Sequence, residues 1–454
     1  MGVSLKQTVT IEPDKFGVLV EKDDLADLTN QETDEGRDFF RLPAMWLRDN
    51  CKCSECINPD TKQRSFDSFR VPSNIRVLYA SANQYGIRVT MSDGHNTFTP
   101  WRWIVQAVEP PFGYMHTPDR RLWDSNAWLQ GSRPEVTYEE CMGHNTDRPI
   151  RAMENLMRKI KKFGFCFVNN TPVTPEATEE LLERIGPIRN THYGGFYDFV
   201  PDLSSADTAY TNLALDPHTD TTYFSDPAGL QAFHMLSHDA PPGSSAEDGP
   251  LGGESILVDG FIVADRIRKF SPELYETLCE VPVAWHASGN ADASITPDKL
   301  YPVIEREGPS TWPYRIRWNN DDRGVVPLEH ADKWYQAARK WALMVQSPKH
   351  QYRFQLRPGS VLIFDNWRVL HGRTAFEGLR RICGAYISAN TLLTSRGIRR
   401  KSGSIRSMEQ ASSEETSLTE QPADAEPAGE QEHEVFGDAD QTQKADEPQK
   451  AGGI

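Results

Sequence analysis

The stretch HTDTTYFSDPAGLQAFH, residues 218–234, decides the fold, because it places a candidate metal-binding pair directly before a polar, β-branched run. The chain has only 12 histidines, and here His218 and Asp220 are separated by a single residue. On a β-strand, side chains two positions apart point to the same face, so both can reach one ion. Taken alone, the pair is also compatible with an ordinary polar turn.

A third ligand is predicted in FDNWRVLHGR, residues 364–373, where His371 ends a strongly apolar strand. Two imidazoles and one carboxylate on one face of a metal ion leave three positions open, which suits ferrous iron in oxygen chemistry. The candidate iron ligands are therefore His218, Asp220 and His371. The distant histidine favours this metal site over the polar turn.

A cosubstrate is predicted as well, because iron of this type needs a source of two electrons. A keto acid can chelate the metal while an arginine holds its far carboxylate bidentately. Arg380 and Arg381 begin the strand after His371, in HGRTAFEGLRRICGAY, residues 371–386. Neighbouring strand residues point to opposite faces, so one arginine is predicted to face the interior. The alternative is that both are surface charges.

The hydrophobic pattern predicts a mainly β fold with flanking helices. Two amphipathic helices, at 151–163 and 175–185, are predicted on either side of a strand at 164–170, and Thr174 and Pro175 begin the second helix. From about residue 205, short strands separated by turns and interrupted by one helix at 331–346 are typical of a double-sheet jelly roll. The predicted strands are GLQAFHML (229–236), ESILVDGF (254–261), VPVAWH (281–286), PVIER (302–306), YRIRWNN (314–320), GSVLIFDNW (359–367) and RRICGAYIS (380–388).

A zinc site is predicted in a small β-rich N-terminal domain. Cys51, Cys53 and Cys56 lie together, and a structural zinc ion takes four tetrahedral nitrogen or sulfur ligands. His95 is the only histidine between this cluster and residue 115, so it is the candidate fourth ligand. The alternative is three reduced thiols without a metal.

Composition limits the function and the compartment. The net charge of -16 and the pI near 5.3 argue against nucleic acid as a partner, because phosphate binding needs basic surface. No apolar stretch approaches the roughly 20 residues that span a bilayer, and the N-terminus has no signal-peptide pattern. We therefore expect no membrane partner and a cytoplasmic protein, with mitochondria not excluded.

These patterns predict four segments: a zinc-binding domain at 1–110, a connecting segment at 111–150, a jelly-roll domain at 151–400 and a tail at 401–454. The tail contains 13 acidic and 4 basic residues and one aromatic residue. Such a composition cannot bury enough apolar surface to offset the entropy of ordering, so the tail is predicted to be disordered.

Over about residues 40–395 the chain resembles the carnitine-synthesis dioxygenases, the Fe(II) and 2-oxoglutarate oxygenases that act on trimethyllysine or γ-butyrobetaine. The resemblance is carried by WLRDNCKCSEC (46–56), DTAYTNLALDPHTDTTYF (207–224), GGESILVDGF (252–261), RIRWNND (315–321) and DNWRVLHGR (365–373). It implies a jelly-roll catalytic domain after a zinc-binding domain, and iron at the triad named above. It also implies Arg380 as the partner of the 2-oxoglutarate carboxylate, with Arg381 second, zinc at the Cys3His cluster, ascorbate as reductant and a homodimer.

The family substrates carry a quaternary ammonium, which cannot donate a hydrogen bond and is held against aromatic faces. The resemblance implies a cage of four tyrosines: Tyr193, Tyr197, Tyr210 and Tyr386. Trimethyllysine also carries an α-ammonium and a carboxylate, so a selective pocket should offer partners of both signs. Candidates lie in RWNNDDR, residues 317–323: Asn319, Asn320, Asp321, Asp322 and Arg323. A charged turn is the alternative interpretation of this segment.

The implied reaction is hydroxylation of trimethyllysine at C3, giving succinate and carbon dioxide, as the first step of carnitine synthesis. Hydroxylation of γ-butyrobetaine is the second possibility. A non-catalytic binder of trimethylated lysine is the third, although a binder has no need of a complete metal triad.

Overall fold

The computed structural model describes residues 9–21, 39–108, 120–128, 133–143, 149–201, 211–241, 243, 251–287, 294–306 and 312–388. The chain divides into two compact units, Met1–Ser395 and Arg396–Ile454, and every described residue belongs to the first. Tyr210 and the predicted tail lie outside the described residues. None of the described helices is long and apolar enough to cross a membrane. The boundaries of the four predicted segments stay predictions.

The strands of the described part are β1 (Val9–Ile11), β2 (Gly17–Glu21), β3 (Phe39–Pro43), β4 (Val77–Asn83), β5 (Gly86–Met91), β6 (Asn96–Pro100), β7 (Glu135–Thr137), β8 (Phe165–Asn169), β9 (Phe196–Phe199), β10 (Leu215–His218), β11 (Leu230–Asp239), β12 (Ser255–Asp259), β13 (Ile304–Arg306), β14 (Pro313–Ile316), β15 (Gln351–Phe354), β16 (Ser360–Asp365), β17 (Val369–Arg373) and β18 (Leu379–Ile387). The α-helices are α1 (Ala44–Asp49), α2 (Trp101–Val108), α3 (Tyr138–Met142), α4 (Pro149–Phe163), α5 (Pro175–Ile185), α6 (Gly260–Phe270), α7 (Pro272–Glu280) and α8 (Ala331–Val345).

Two facing sheets form the jelly roll that the sequence predicts. One has four antiparallel strands in the order β10-β17-β12-β15, and the other has six in the order β7-β8-β16-β11-β18-β9. All pairs of the six-stranded sheet are antiparallel except β7 with β8. The segment predicted as an extended connection, 111–150, therefore contributes an edge strand, β7, and the helix α3.

The alternation of side chains along β11 and β18 determines what reaches the interior. In β11, Leu230 and Ala232 pack with α4 and α5 on the outer face, so Gln231 and Phe233 face inward and line the cavity. In β18 the same alternation sends Arg380, Ile382 and Tyr386 inward. The apolar core between the sheets contains Phe165, Phe167, Met235, Leu257, Leu362, Phe364 and Ile382.

The N-terminal part consists of two three-stranded sheets, β1-β2-β3 and β4-β5-β6, as the short β-type runs predict. Their apolar faces pack together with α1 and α2 into a separate core cluster. The turn between β5 and β6 and the end of α1 bring the predicted zinc ligands to one place.

The prediction of one helix after residue 205 was wrong, because α6 and α7 follow β12 directly. Asp259 ends β12, and its side chain accepts a hydrogen bond from the backbone N–H of Phe261 at 3.1 Å, which caps α6. Pro272 occupies the first turn of α7, where its missing N–H costs nothing. Residues 281–286, predicted as a strand, form only isolated bridges at Val283 and Trp285.

His234 is a buried histidine of β11 that should make stability depend on pH. Its Nε2 accepts the N–H of Gly359 at 3.1 Å, its Nδ1 lies 2.7 Å from Thr178 Oγ1, and burial lowers its pKa to about 4. An unfolded histidine titrates near 6.5, so the unfolded chain binds more protons below that pH and stability falls. We expect His234 to remove about 2 kcal/mol of the free energy of unfolding between pH 7.5 and 5.

This expectation can be checked by urea unfolding of the parent and His234→Gln at both pH values. The difference in unfolding free energy between pH 7.5 and 5 should shrink in the variant by about 2 kcal/mol. His238→Gln, which changes a less buried imidazole of the same strand, is the control and should keep the parental difference. An unchanged pH difference in His234→Gln would refute the assignment.

Candidate active site

The three candidate iron ligands meet at one end of the four-stranded sheet. His218, the last residue of β10, is directly opposite His371 of β17 in the antiparallel register, and their rings are 4.4 Å apart. Asp220 follows β10, and its Oδ1 lies 3.2 Å from His218 Nε2 and 3.8 Å from His371 Nε2. The candidate ligand atoms lie within 4.8 Å of one another, so a single ion can contact all three.

Hydrogen bonds and charge prepare these side chains for a cation. His218 Nδ1 donates to the backbone oxygen of Asp216 at 2.8 Å, which orients the ring so that Nε2 points toward Asp220. Burial, which acts to lower the pKa of His218, is outweighed by the hydrogen bond and charge of Asp220, and the pKa rises to about 9. Burial and the charge of His218 lower the pKa of His371 to about 3. The carboxylate-imidazole contacts occupy the space that an ion would take.

Asp220 is held by three residues: Asn366 and Gln231, which the sequence interpretation did not single out as functional, and Tyr386, which it assigned only to the substrate cage. The side chain of Asn366 forms two hydrogen bonds to the backbone of Asp220: its Oδ1 accepts the N–H at 2.8 Å and its Nδ2 donates to the carbonyl oxygen at 3.0 Å. Gln231 Nε2 and the Tyr386 hydroxyl each donate to Asp220 Oδ2 at 2.7 Å. The signal was present as a polar residue inside each apolar strand segment, Gln231 in GLQAFHML and Asn366 in FDNWRVL.

A cavity of about 290 Å³ opens beside the triad, and three predicted cage residues line it. Tyr193, Tyr197 and Tyr386 are in its wall, and the rings of Tyr197 and Tyr386 are 5.9 Å apart. Tyr210 lies outside the described residues. Phe199, Tyr223 and Phe233 also line the cavity and were missed, because an aromatic residue in a strand carries no sequence mark that distinguishes a cavity wall from ordinary packing.

The two candidate arginines have opposite environments. Arg380 lines the cavity with 4% of its surface exposed, and its Nε has no hydrogen-bond partner among the described residues. Burial, and next the charge of Arg373, lower the pKa of Arg380 to about 9, so it remains charged at neutral pH. Arg381 points to the outer face and pairs with Asp198 of the neighbouring strand β9. The geometry therefore excludes Arg381 from the cavity.

Arg373 is a second arginine of the cavity wall that the sequence interpretation left without a role. It is buried in β17, donates to the backbone oxygen of Thr211 and stacks on Phe376, as Arg380 does. Besides burial, the charge of Arg373 lowers the pKa of Arg380. No Asp or Glu among the described residues forms an ion pair with Arg380, whereas its neighbour Arg381 pairs with Asp198. Two buried guanidiniums side by side are costly unless an anion joins them, which fits a dicarboxylate ligand.

The segment predicted to hold an amino-acid zwitterion is divided between two cavities. Asn319, Asp321 and Asp322 line the cavity beside the triad, and Asn319 Nδ2 donates to Asp322 Oδ2 at 2.9 Å. Asn320 and Arg323 line only a neighbouring groove of about 590 Å³ along α8, whose wall Asn319 and Asp321 share. Arg323 lies over the ring of Trp334 at 5.0 Å, which turns it away from the triad.

The cysteine cluster forms a second candidate metal centre. Cys51, Cys53 and Cys56 place their sulfur atoms 3.2, 3.6 and 3.4 Å from Nε2 of His95. A zinc ion with bonds of about 2.3 Å to sulfur and 2.0 Å to nitrogen would hold such atoms roughly 3.5 Å apart. Arg48 donates to Cys56 at 3.3 Å and bonds Asp93 at 2.8 Å, so the cluster is tied to the turn that carries His95.

Comparison with known proteins agrees with this geometry. The model of the taurine catabolism dioxygenase TauD, TfdA family matches residues 140–386, and that of the γ-butyrobetaine hydroxylase-like N-terminal domain matches residues 31–105. Trimethyllysine dioxygenase of Neurospora crassa is 46% identical over 78% of this chain and 79% of its own, and the mitochondrial human trimethyllysine dioxygenase is 35% identical over 78% and 82%. The γ-butyrobetaine dioxygenase of Pongo abelii is 25% identical over 78% of this chain and 89% of its own.

A jelly roll that carries two histidines and one aspartate at one end defines an Fe(II) and 2-oxoglutarate-dependent oxygenase. The motif resemblance noted in the sequence is thereby confirmed. With two thirds or more of such relatives covered at 35% identity and above, the chain belongs to the family of the trimethyllysine dioxygenases.

Proposed function

We propose that the protein hydroxylates N6,N6,N6-trimethyl-L-lysine at C3. One oxygen atom of O2 enters the product, and the other enters succinate as 2-oxoglutarate loses carbon dioxide. The observation that carries the proposal is the single cavity that joins the triad, a buried arginine without a carboxylate partner among the described residues and a wall of tyrosines.

Different residues of the cavity would bind the metal ion and the cosubstrate. His218, Asp220 and His371 would hold ferrous iron, which supplies oxygen activation coupled to decarboxylation of the keto acid. Arg380 would hold the far carboxylate of 2-oxoglutarate, and Arg373 would add a second positive charge beside it. The protein contributes position, since it fixes both ligands against one ion.

The tyrosines supply the reason to expect a quaternary ammonium. A cation is attracted to aromatic faces within about 6 Å of the ring centre, and the rings of Tyr197 and Tyr386 are 5.9 Å apart on the same wall. Each such contact is worth roughly 0.5 to 2 kcal/mol, with the larger value for a desolvated site. Tyr193 and Tyr223 extend this aromatic wall. We assign Tyr210 to the same cage by the family resemblance.

The acidic and amide groups of the opposite wall favour trimethyllysine over γ-butyrobetaine. Asp321 and Asp322 face the cavity, so either can pair with an α-ammonium, which γ-butyrobetaine lacks. Asn319 can donate to the α-carboxylate. Asn320 lies in the neighbouring groove and is a weaker candidate than the sequence indicates.

Succinate release by iron-loaded protein tests the proposal, with trimethyllysine, γ-butyrobetaine or no substrate added and product mass measured in parallel. Trimethyllysine alone should stimulate turnover and should gain one oxygen atom, and His218→Ala should abolish both. Stimulation by γ-butyrobetaine alone would assign the sister activity. Binding of trimethyllysine without turnover in the presence of iron would mean that the cavity is a reader of trimethylated lysine.

We propose that the Cys3His cluster binds a structural zinc ion, because its four ligands leave no open position for chemistry. Burial, and next the charge of Cys51, raise the pKa of Cys56 to about 12, so only a cation would keep all three sulfurs as thiolates. In a His218→Ala background, which removes the iron site, the protein should retain one zinc ion per chain. Adding Cys56→Ser should remove that zinc and lower the Tm.

Zinc content by elemental analysis and thermal unfolding measure this outcome. Cys141→Ala is the matched control, since Cys141 is a buried thiol outside the cluster and its loss should leave the zinc content unchanged. Retention of stoichiometric zinc by the Cys56→Ser chain would contradict the assignment.

We propose further that ascorbate supports turnover by keeping the iron ferrous, and that two chains form a dimer. Both rest on the family resemblance. Ascorbate dependence of succinate release and light scattering of the purified chain test them. The cytoplasm remains our predicted compartment; the human relative is named as a mitochondrial protein, and microscopy of a tagged chain distinguishes the two.

A further inference from the structure

The two oxygen atoms of the Asp220 carboxylate have different surroundings. Oδ1 faces the imidazoles of His218 and His371, at 3.2 and 3.8 Å. Oδ2 points the other way and accepts two hydrogen bonds of 2.7 Å, one from Gln231 and one from Tyr386. Both lone-pair directions of Oδ2 are thereby occupied by donors, and only Oδ1 is free to meet an ion.

Gln231 is an energetically unfavourable residue at its buried position. It is 1% exposed in the middle of β11, and its Oε1 has no hydrogen-bond partner among the described residues. Reversing the amide would place that oxygen against the carboxylate of Asp220, so the orientation with Nε2 as donor is fixed by its neighbour. Because a buried acceptor without a partner destabilises the fold, a residue chosen here for stability alone would be apolar.

Tyr386 connects the same oxygen to the wall of the cavity. Its inward direction follows from the alternation of β18, and its hydroxyl is a phenol that is protonated at neutral pH and can donate to Asp220. Tyr197 offers the contrast, because its ring lies on the same wall but its hydroxyl donates to the backbone oxygen of Ala232 at 2.7 Å. Only one of these two tyrosines touches a candidate metal ligand.

We propose that Gln231 and Tyr386 are positioning residues that hold Asp220 Oδ2 away from the metal, so that the carboxylate contributes one ligand atom and not two. An octahedral ion has six positions, of which two histidines and one carboxylate oxygen take three. A bidentate cosubstrate and O2 need the other three. A carboxylate that bound through both oxygens would occupy one of these. The inference rests on the iron site and not on the identity of the substrate.

Affinity for Mn²⁺ in the absence of substrate and cosubstrate tests the proposal, with free Mn²⁺ measured by electron paramagnetic resonance. Mn²⁺ suits carboxylate and imidazole ligands, and thiolate sites favour softer metals. Partners of a metal ligand typically change metal affinity 10- to 100-fold. Without these donors the carboxylate of Asp220 loses its fixed orientation, so we expect Gln231→Leu and Tyr386→Phe each to change Mn²⁺ affinity about 10-fold. The affinity falls where Oδ1 turns away from the ion and rises where the freed Oδ2 also binds it, while Tyr197→Phe, the matched control, keeps the parental affinity.

Thermal unfolding of the metal-free chains separates positioning from a merely structural role. Gln231→Leu replaces a partly unsatisfied amide with an apolar side chain, so its Tm should not fall although its Mn²⁺ affinity changes. Parental affinity in both Gln231→Leu and Tyr386→Phe would overturn the proposal. So would a loss of affinity that follows a lowered Tm in these variants and in Tyr197→Phe alike. Because no substrate is present, failure of the trimethyllysine assignment leaves this result unaffected.

Discussion

Asp220→Ala should lose succinate formation by more than ~100-fold, because removing a partner of a metal ligand already costs about 10- to 100-fold and Asp220 is a candidate ligand itself. The change leaves two imidazoles that face each other across a buried gap of 4.4 Å between ring centres, with no charge to balance a divalent cation. We expect the residual activity to be independent of added iron. The measurement is succinate release with trimethyllysine over a range of Fe(II) concentrations.

Asp239→Ala is the control for this variant, since it removes an exposed carboxylate at the end of β11 and should retain the parental rate. Substantial activity in Asp220→Ala that saturates with Fe(II) at the parental concentration would show that the iron is bound elsewhere. Asp220→Asn extends the test, because it preserves shape but offers a neutral ligand. Its activity should stay far below that of the parent.

The sequence predicts the three residues of the triad but not how the chain places them. The prediction put His218 and Asp220 on one strand, and this was wrong, because β10 ends at His218 and Asp220 follows it, although both side chains reach the same place. The sequence indicates that His371 lies on a strand, but it does not indicate which strand pairs with it. That it lies directly opposite β10 is a property of the antiparallel register, which the apolar pattern of one strand does not specify.

The support of the triad could not be predicted, since it comes from residues distant in sequence. Gln231 and Tyr386 reach the same carboxylate oxygen from adjacent strands, β11 and β18, which are separated by more than 100 residues of chain. Asn366 caps the same turn from 146 residues away. A polar residue inside an apolar strand marks each of these positions as unusual, but the sequence does not say which partner it meets.

The helices α6 and α7 were missed for a different reason. The run ESILVDGF predicts a strand, and the strand ends at Asp259. Because the helix begins at the next residue, no loop separates the strand pattern from the helix pattern. The apolar spacing of Val263, Ala264 and Ile267, all buried, is that of a helix and would have identified α6. Those helices cover the outer face of the four-stranded sheet and do not contribute to the cavity.

Arg380→Met should raise the KM for 2-oxoglutarate by about 100-fold, because truncating one partner of a buried, charge-assisted pair typically costs 2–5 kcal/mol, and a factor of 100 corresponds to about 2.7 kcal/mol. Methionine fills much of the same volume without the charge. The effect should be confined to the cosubstrate: the KM for trimethyllysine and the affinity for Mn²⁺ should stay close to parental values. Arg380→Lys should recover only part of the loss, since an ammonium cannot form the two parallel hydrogen bonds of a guanidinium.

Arg381→Met provides the matched control, one residue away on the same strand and with the same change in charge. Its guanidinium lies on the outer face with Asp198, so the KM for 2-oxoglutarate should remain that of the parent. The pair of variants therefore tests the strand alternation and the cosubstrate site together, by steady-state kinetics at saturating trimethyllysine. An increase in KM in Arg381→Met but not in Arg380→Met would reverse the assignment of the inward face of β18. No increase in either would move the carboxylate partner to Arg373, the other buried guanidinium of the cavity wall.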